Sequence, residues 1–192
     1  MDFQKTFNKY SSKIAIDLGR PNKIPSKSSY QNFIIIPCYN EYDYIFKTLD
    51  SINKQELKLL NQTLIVVVIN NSNIESQNIV KNNKRTYEFL LKKKYRYDFV
   101  AIDCFSKKYS INHKKAGVGY ARKIGLDYTL RYIKNKFSLL CSLDADTIID
   151  KDYLYIVNKA MSTNANVCVV NFQHQKSSDP IIEKAIRKYE KQ

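Results

Sequence analysis

The chain has no apolar run long enough to cross a bilayer, and its first residues, MDFQKTFNKY, lack a basic start followed by an apolar block. Neither a spanning helix nor a secretory leader is expected, and the expected location is cytoplasmic, with the inner face of the membrane as an extension. There is no CxxC pair. Cys38, Cys104, Cys141 and Cys168 are scattered, three of them inside apolar strand-like runs, which reads as buried thiols in a reducing compartment and not as a zinc site. Arginine is scarce, at six positions among 32 basic residues. Base-reading and stacking surfaces lean on arginine, so the formal net charge of +14 reads as a lysine-rich composition, with no nucleic-acid partner expected. Glycine-rich phosphate loops are missing as well. GxxxxGK[ST] does not occur, and Gly117 and Gly119 are followed by Arg122 where GxGxxG needs its third glycine.

The 192 residues, 44% of them hydrophobic, suffice for one well-formed core. Residues 3–18 put Phe3, Phe7, Tyr10, Ile14 and Leu18 on one helical face, stopped by Gly19 and Pro21. A helix packed on the domain is expected there, with peripheral membrane contact as the competing reading. Residues 20–31 read as an irregular linker. The chain then alternates. Apolar runs at 32–37, 63–70, 97–105, 137–143 and 165–172 read as strands. Helical patterns fall between them, at about 45–52, 74–92, 116–133 and 151–161, with a last helix after Pro180. Continuous apolar strands separated by helices predict an α/β fold, a mainly parallel, Rossmann-like sheet with helices on both faces.

In such sheets ligands bind beyond the carboxyl ends of the strands. Four segments lie there: PCYNE (37–41), NNSN (70–73), KKAGVGYAR (114–122) and DADT (144–147). Asp144 and Asp146, one residue apart past a strand, suit a hard cation that keeps positions open for phosphate oxygens. Aspartates also end strands and cap helices, but Asp150 and Asp152 are placed to cap the next helix. Gly117 and Gly119 open a helix whose free N–H groups favour an anion, with Lys114, Lys115 and Arg122 adding charge; the plainer reading is close packing. PCYNE and NNSN can hydrogen-bond a nucleoside or simply turn the chain.

Taken in order, these segments resemble family 2 glycosyltransferases of the GT-A fold. The P-x-Y-N-E strand end is matched by Pro37, Tyr39, Asn40 and Glu41. The second strand end is matched by Asn70, Asn71 and Ser72, and the G-x-G-x-A-R helix by Gly117, Gly119, Ala121, Arg122 and Gly125. The DxD motif is matched by Asp144 and Asp146, followed by Asp150 and Tyr153–Leu154. The resemblance spans about residues 32–172. It implies a site for a nucleotide-diphosphate sugar of the UDP or GDP type, a Mn²⁺ or Mg²⁺ ion, and a saccharide acceptor, glycan or lipid-linked. It assigns Pro37, Tyr39, Asn40, Glu41 and Asn70 to donor binding, Arg122 and the Gly117–Gly119 turn to the nucleoside or phosphates, Asp144 to the ribose or metal, and Asp146 to the metal.

Two departures stand out. Asn70 occupies a position where most relatives carry aspartate, and no carboxylate stands at the expected general-base position, where the sequence reads NFQHQKSSDP. His174 is the candidate there, as a third metal ligand or as the base, against the plainer reading of a solvated histidine. The expected organisation is a helix and linker (1–31), a nucleotide-sugar-binding domain (32–175), and the start of a missing or shortened acceptor region (176–192). A non-catalytic nucleotide-sugar-binding module is the alternative. A sugar nucleotidyltransferase is less favoured, since PCYNE holds no glycine after the first strand.

Overall fold

The computed structural model describes residues 2–163 and 165–190. Positions 191 and 192 of the C-terminal segment fall outside this range, as do Met1 and Asn164. In chain order the elements are α1 (Phe3–Lys13), β1 (Arg20–Pro21), β2 (Asn32–Cys38), α2 (Ile45–Ile52), α3 (Leu57–Leu60), β3 (Thr63–Asn70), α4 (Gln77–Lys92), β4 (Asp98–Cys104), α5 (Val118–Thr129), β5 (Leu139–Ser142), α6 (Tyr153–Met161) and α7 (Pro180–Tyr189). The sheet has the order β1-β4-β3-β2-β5. β2 pairs in parallel with β3 from Asn32–Thr63 to Cys38–Ile69, and with β5 from Asn32–Leu139 to Ile35–Ser142. β3 pairs in parallel with β4, and only β1 is antiparallel. The α/β class and the mainly parallel sheet expected from the alternating apolar runs are the architecture observed.

The strand pleat divides the core between the two faces. Phe33 and Ile35 of β2, with Leu64, Val66 and Val68 of β3, lie under Ala121, Ile124 and Tyr128 of α5. Ile34, Ile36, Ile65 and Val67 face the other way, against Leu49 of α2, Leu90 of α4 and Leu154 of α6. Every residue of β2 and β3 is buried, which explains why their sequences show no polar alternation. Each fully buried aliphatic side chain contributes about 1.5–3 kcal/mol. Cys38, Cys104 and Cys141 are buried among them, and burial pushes all three thiols up, so they are unreactive packing residues.

Several expectations are corrected. Residues 165–172 do not form a fifth long strand: among the described residues they pair with no strand, and Val169 is 90% exposed and Cys168 exposed with it. Apolar alternation marks a segment able to pair, but pairing needs an edge, and β5, the sheet edge nearest in sequence, is four residues long. The linker 20–31 is more ordered than expected, since Arg20 and Pro21 pair with Asp103 and Ile102. The helix over 116–133 ends at Thr129 and continues as a 3₁₀ turn, Leu130–Tyr132. α1 buries no residue. The N-terminal segment is held by polar ties to the buried Asp127 carboxylate, which accepts from Tyr10 Oη and Ile16 N–H, each at 2.8 Å, and from Lys123 Nζ at 2.7 Å. Among the described residues no helix is long and apolar enough to cross a membrane.

Gly125 sets how closely α5 lies on the sheet. A Cβ there would stand 2.5 Å from Ile35 Cγ2 and 3.0 Å from Val68 Cγ2. Both neighbours are β-branched and buried, so neither swings aside. Gly125→Ala is therefore expected to lower the urea unfolding midpoint. Overpacking of about 1–3 kcal/mol outweighs the gain of about 1 kcal/mol in helix propensity.

Candidate functional site

A cavity of about 560 Å³ opens at the carboxyl ends of β2, β3 and β5 and the N-terminus of α5. The topology places it there. The chain lays down β2, β3 and β4 in one direction and then returns to put β5 on the other side of β2, and such a reversal leaves a crevice between diverging connections.

β2 supplies the first wall. Ile35 turns its carbonyl towards β5, accepting Leu143 N–H at 3.0 Å. Pro37, two residues on, faces the same way beyond the last β2–β5 pair, Ile35–Ser142, so its missing N–H removes no ladder bond. The chain then turns through Asn40, whose φ of 60° is left-handed, a conformation asparagine tolerates better than most residues. That turn presents Tyr39 and Glu41 to the cavity. The Tyr39 hydroxyl donates to Glu75 Oε2 at 3.0 Å.

β3 supplies Asn70, followed by Asn71 and Ser72. Asn70 is only 4% exposed, and its Oδ1 has no hydrogen-bond partner among the described residues. A buried unsatisfied carbonyl oxygen costs about 1–3 kcal/mol, and this one belongs to a residue on the cavity wall. Glu75, at the start of the α4 approach, also lines the cavity. The sequence reading missed it because it lies five residues beyond the strand end, in a polar stretch that looks like turn chemistry.

α5 begins at Gly117, whose φ of 156° and ψ of 165° suit glycine. Its first N–H groups have no partner within the helix, and Ala116, Gly117 and Val118 line the cavity. One turn on, Arg122 Nη2 is paired with Asp144 Oδ1, while Arg122 Nε is buried without a partner among the described residues. β5 ends at Ser142, and Leu143 leads into the turn Asp144–Ala145–Asp146. Buried side chains of α2 fasten that turn: Thr48 Oγ1 donates to Ala145 O at 2.7 Å, and Ser51 Oγ accepts from Ile149 N–H at 3.2 Å.

The structure thus brings together Pro37, Tyr39, Glu41, Asn70, Gly117, Arg122, Asp144 and Asp146. Asn40 and Gly119 do not line the cavity; Asn40 shapes the turn, and Gly119 faces open space. Lys114 and Lys115 lie outside as well. His174 also lies apart, its Nδ1 3.2 Å from Glu190 Oε1 and its ring against Phe172 and Tyr189, although the neighbouring Gln175 donates to Asp146 O at 2.8 Å. Asp150 and Asp152 are not the side-chain caps expected. Asp152 stands at the N-cap of α6 without a capping bond, and Asp150 accepts through its backbone carbonyl from Tyr153 N–H and Gln55 Nε2.

Among the described residues no three His, Cys, Asp or Glu side chains are grouped to hold an ion alone. Asp144 and Asp146 instead fit the donor set of a Mg²⁺- or Mn²⁺-type cation that completes its shell with phosphate oxygens and water. The local field agrees: burial raises the pKa of Glu41, and the charges of Asp146 and then Asp144 raise it further, so this corner favours added positive charge.

That upward shift has a measurable sign. Below the ordinary value of 4.5, Glu41 is protonated both folded and unfolded and costs nothing. As pH rises above it the unfolded chain ionises first, so the penalty builds until the higher folded value is passed and then persists. Glu41→Gln is expected to melt higher than the parent at pH 7 without metal or nucleotide, with the difference closing as pH falls towards 4.5.

No curated protein matches the sequence. A crystal structure of S. aureus TarS 1–349 matches with a TM-score of 0.42 and 17% identity, covering 74% of this chain and 39% of that one. A second, of S. aureus TarS 1–349 in complex with UDP-GlcNAc, matches with a TM-score of 0.43 and 16% identity, covering 74% of this chain and 37% of that one. The chain therefore spans less than half the length of either. The profile described as Glycosyl transferase family 2 matches residues 33–191, and the chain belongs to that family.

Proposed function

We infer that the cavity is the donor site of a metal-dependent glycosyltransferase, taking a sugar from a nucleotide diphosphate of the UDP or GDP type to a saccharide or lipid-linked acceptor. The observation that carries this reading is the meeting, in one crevice of a family 2 chain, of three chemistries. Tyr39, Asn70 and Glu75 offer hydrogen-bonding groups for a nucleoside. The α5 N-terminus and Arg122 attract a diphosphate. Asp144 and Asp146 are placed for a divalent cation. UDP-GlcNAc in the TarS complex is a ligand of the same class.

In this reading Asn70 Oδ1 accepts a base or ribose donor and loses its orphan status. Arg122, already held at the cavity by Asp144, brings its guanidinium charge to the leaving diphosphate. Its positive charge and the oriented N–H groups of α5 stabilise the negative charge that builds as the sugar–phosphate bond breaks. A bound Mn²⁺ or Mg²⁺ supplies Lewis-acid stabilisation of the same charge, held by Asp146 and Asp144.

A second reading is a nucleotide-sugar-binding module without turnover. It is favoured by the fact that the carboxylates lining the cavity are Glu41, Glu75, Asp144 and Asp146, all with binding roles above.

Calorimetric titration with UDP, GDP and their sugars, with and without Mn²⁺, tests both. Binding strengthened by Mn²⁺ is expected. Asp146→Ala should abolish the metal-dependent part, and Arg122→Ala should weaken nucleotide binding about tenfold or more, the loss of a charge-assisted hydrogen bond. Absence of binding by every nucleotide, or metal dependence intact in Asp146→Ala, overturns the donor-site reading. Binding with no transfer and no donor hydrolysis supports the module.

A further inference from the structure

Asn83 lies on α4, outside the cavity, and is completely buried. Its Oδ1 accepts the N–H of Asn40 at 2.9 Å. Its Nδ2 donates to Asn70 O at 3.1 Å and to Asn71 Oδ1 at 3.0 Å. One carboxamide therefore satisfies groups from two different strand ends. Asn40 is the left-handed residue between Tyr39 and Glu41, and Asn70 and Asn71 form the adjoining wall.

The partners dictate the side chain. A backbone N–H requires an acceptor and a backbone carbonyl requires a donor, at opposite ends of one planar group. Aspartate keeps the acceptor and loses the donors; alanine loses both and leaves three groups without this partner. The next residue back, Asn82, accepts from Tyr42 N–H at 3.4 Å, so the same turn is tied twice to α4. In contrast Asn71 Nδ2 reaches outward to Ser72 O and Phe105 O, extending the chain of amides from the β2 turn to the end of β4.

We propose that Asn83 is a positioning residue, which locks the β2 turn and the β3 end into one preorganised wall, so that Tyr39, Glu41 and Asn70 meet a nucleoside diphosphate without reordering. The identity of that ligand rests on the donor-site reading; the locking of the two segments does not.

The experiment combines hydrogen exchange with nucleotide binding in Asn83→Ala, Asn83→Asp and a control, Thr86→Ala. Thr86 is equally buried one turn along α4, but its hydroxyl donates only to Asn82 O, within the helix. Asn83→Ala should speed exchange at residues 39–42 and 70–73 together, by about tenfold or more, while residues 64–68 keep their protection. Asn83→Asp should retain protection at Asn40 and lose it at 70–73, and it keeps the question decidable if Asn83→Ala does not fold. With Mn²⁺ present, Kd for UDP or GDP should rise about tenfold in Asn83→Ala and stay within about twofold in Thr86→Ala. Equal effects from Thr86→Ala, or unchanged exchange at both segments in the Asn83 variants, overturn the proposal. If the unmodified chain binds neither nucleotide, the donor-site reading fails on its own, and the exchange pattern still decides the role of Asn83.

Discussion

The pairing of β2 with parallel strands on both sides holds the rest of the structure in place. β2 is buried along all seven residues, and the chain reaches its two neighbours from opposite directions. β3 follows β2 by one connection, whereas β5 arrives only after β4 and α5 have been laid down. This reversal puts Tyr39 and Glu41 next to Asp144 and Asp146, about a hundred residues apart in sequence. β5 stops three residues short of where β2 ends, and that mismatch opens the space which the cavity occupies. A β5 paired along the full length of β2 would extend the sheet into it.

Polar groups are left over at this opening. Among the described residues four buried side-chain polar atoms lack partners; Asn70 Oδ1 and Arg122 Nε belong to residues of the cavity wall, and Asn32 Oδ1 and Tyr95 Oη lie elsewhere. Unsatisfied buried groups weaken a fold, and the pair on this wall is the kind of local inconsistency expected at a binding site. The surrounding amides run the other way. Asn83, Asn71 and Asn40 are matched donor to acceptor, and Thr48 and Ser51 fasten the opposite wall. Rigid walls around a few free hydrogen-bonding groups favour a ligand by reducing what must be ordered on binding. The electrostatics are divided within the same space: a cationic edge from α5 and Arg122, and an acidic corner in which Glu41 is held above its ordinary pKa.

Much of this was legible before any coordinates. Unbroken β-branched runs such as TLIVVVIN can hardly be anything but strands buried on both faces. Turn and ligand chemistry collects at their ends, which marks the segments to examine, and the family resemblance then singles out Pro37, Tyr39, Glu41, Asn70, Arg122, Asp144 and Asp146 within them. The misses have distinct causes. ANVCVVNF carries the strand pattern, yet no edge receives it. Asp150 and Asp152 looked like caps because capping chemistry is local, but the carboxylates make no such bonds. His174 was singled out by its type, and its neighbours turned out to be Glu190, Phe172 and Tyr189. Glu75 and Asn83 were invisible because polar residues on or near a helix look alike in sequence, whether they face water, a cavity or two strand ends.

The sequence by itself determined the class of fold, the strands that bear the site and the family to which the chain belongs. These follow from hydrophobic periodicity and from short motifs at strand ends, both written along the chain. Only the tertiary structure decided which of those motifs share a cavity, that Arg122 reaches Asp144, and that one buried carboxamide ties the β2 turn to the β3 end. Those facts depend on strand order and on register between distant segments, and hydrogen bonding across such distances has no local signature in sequence.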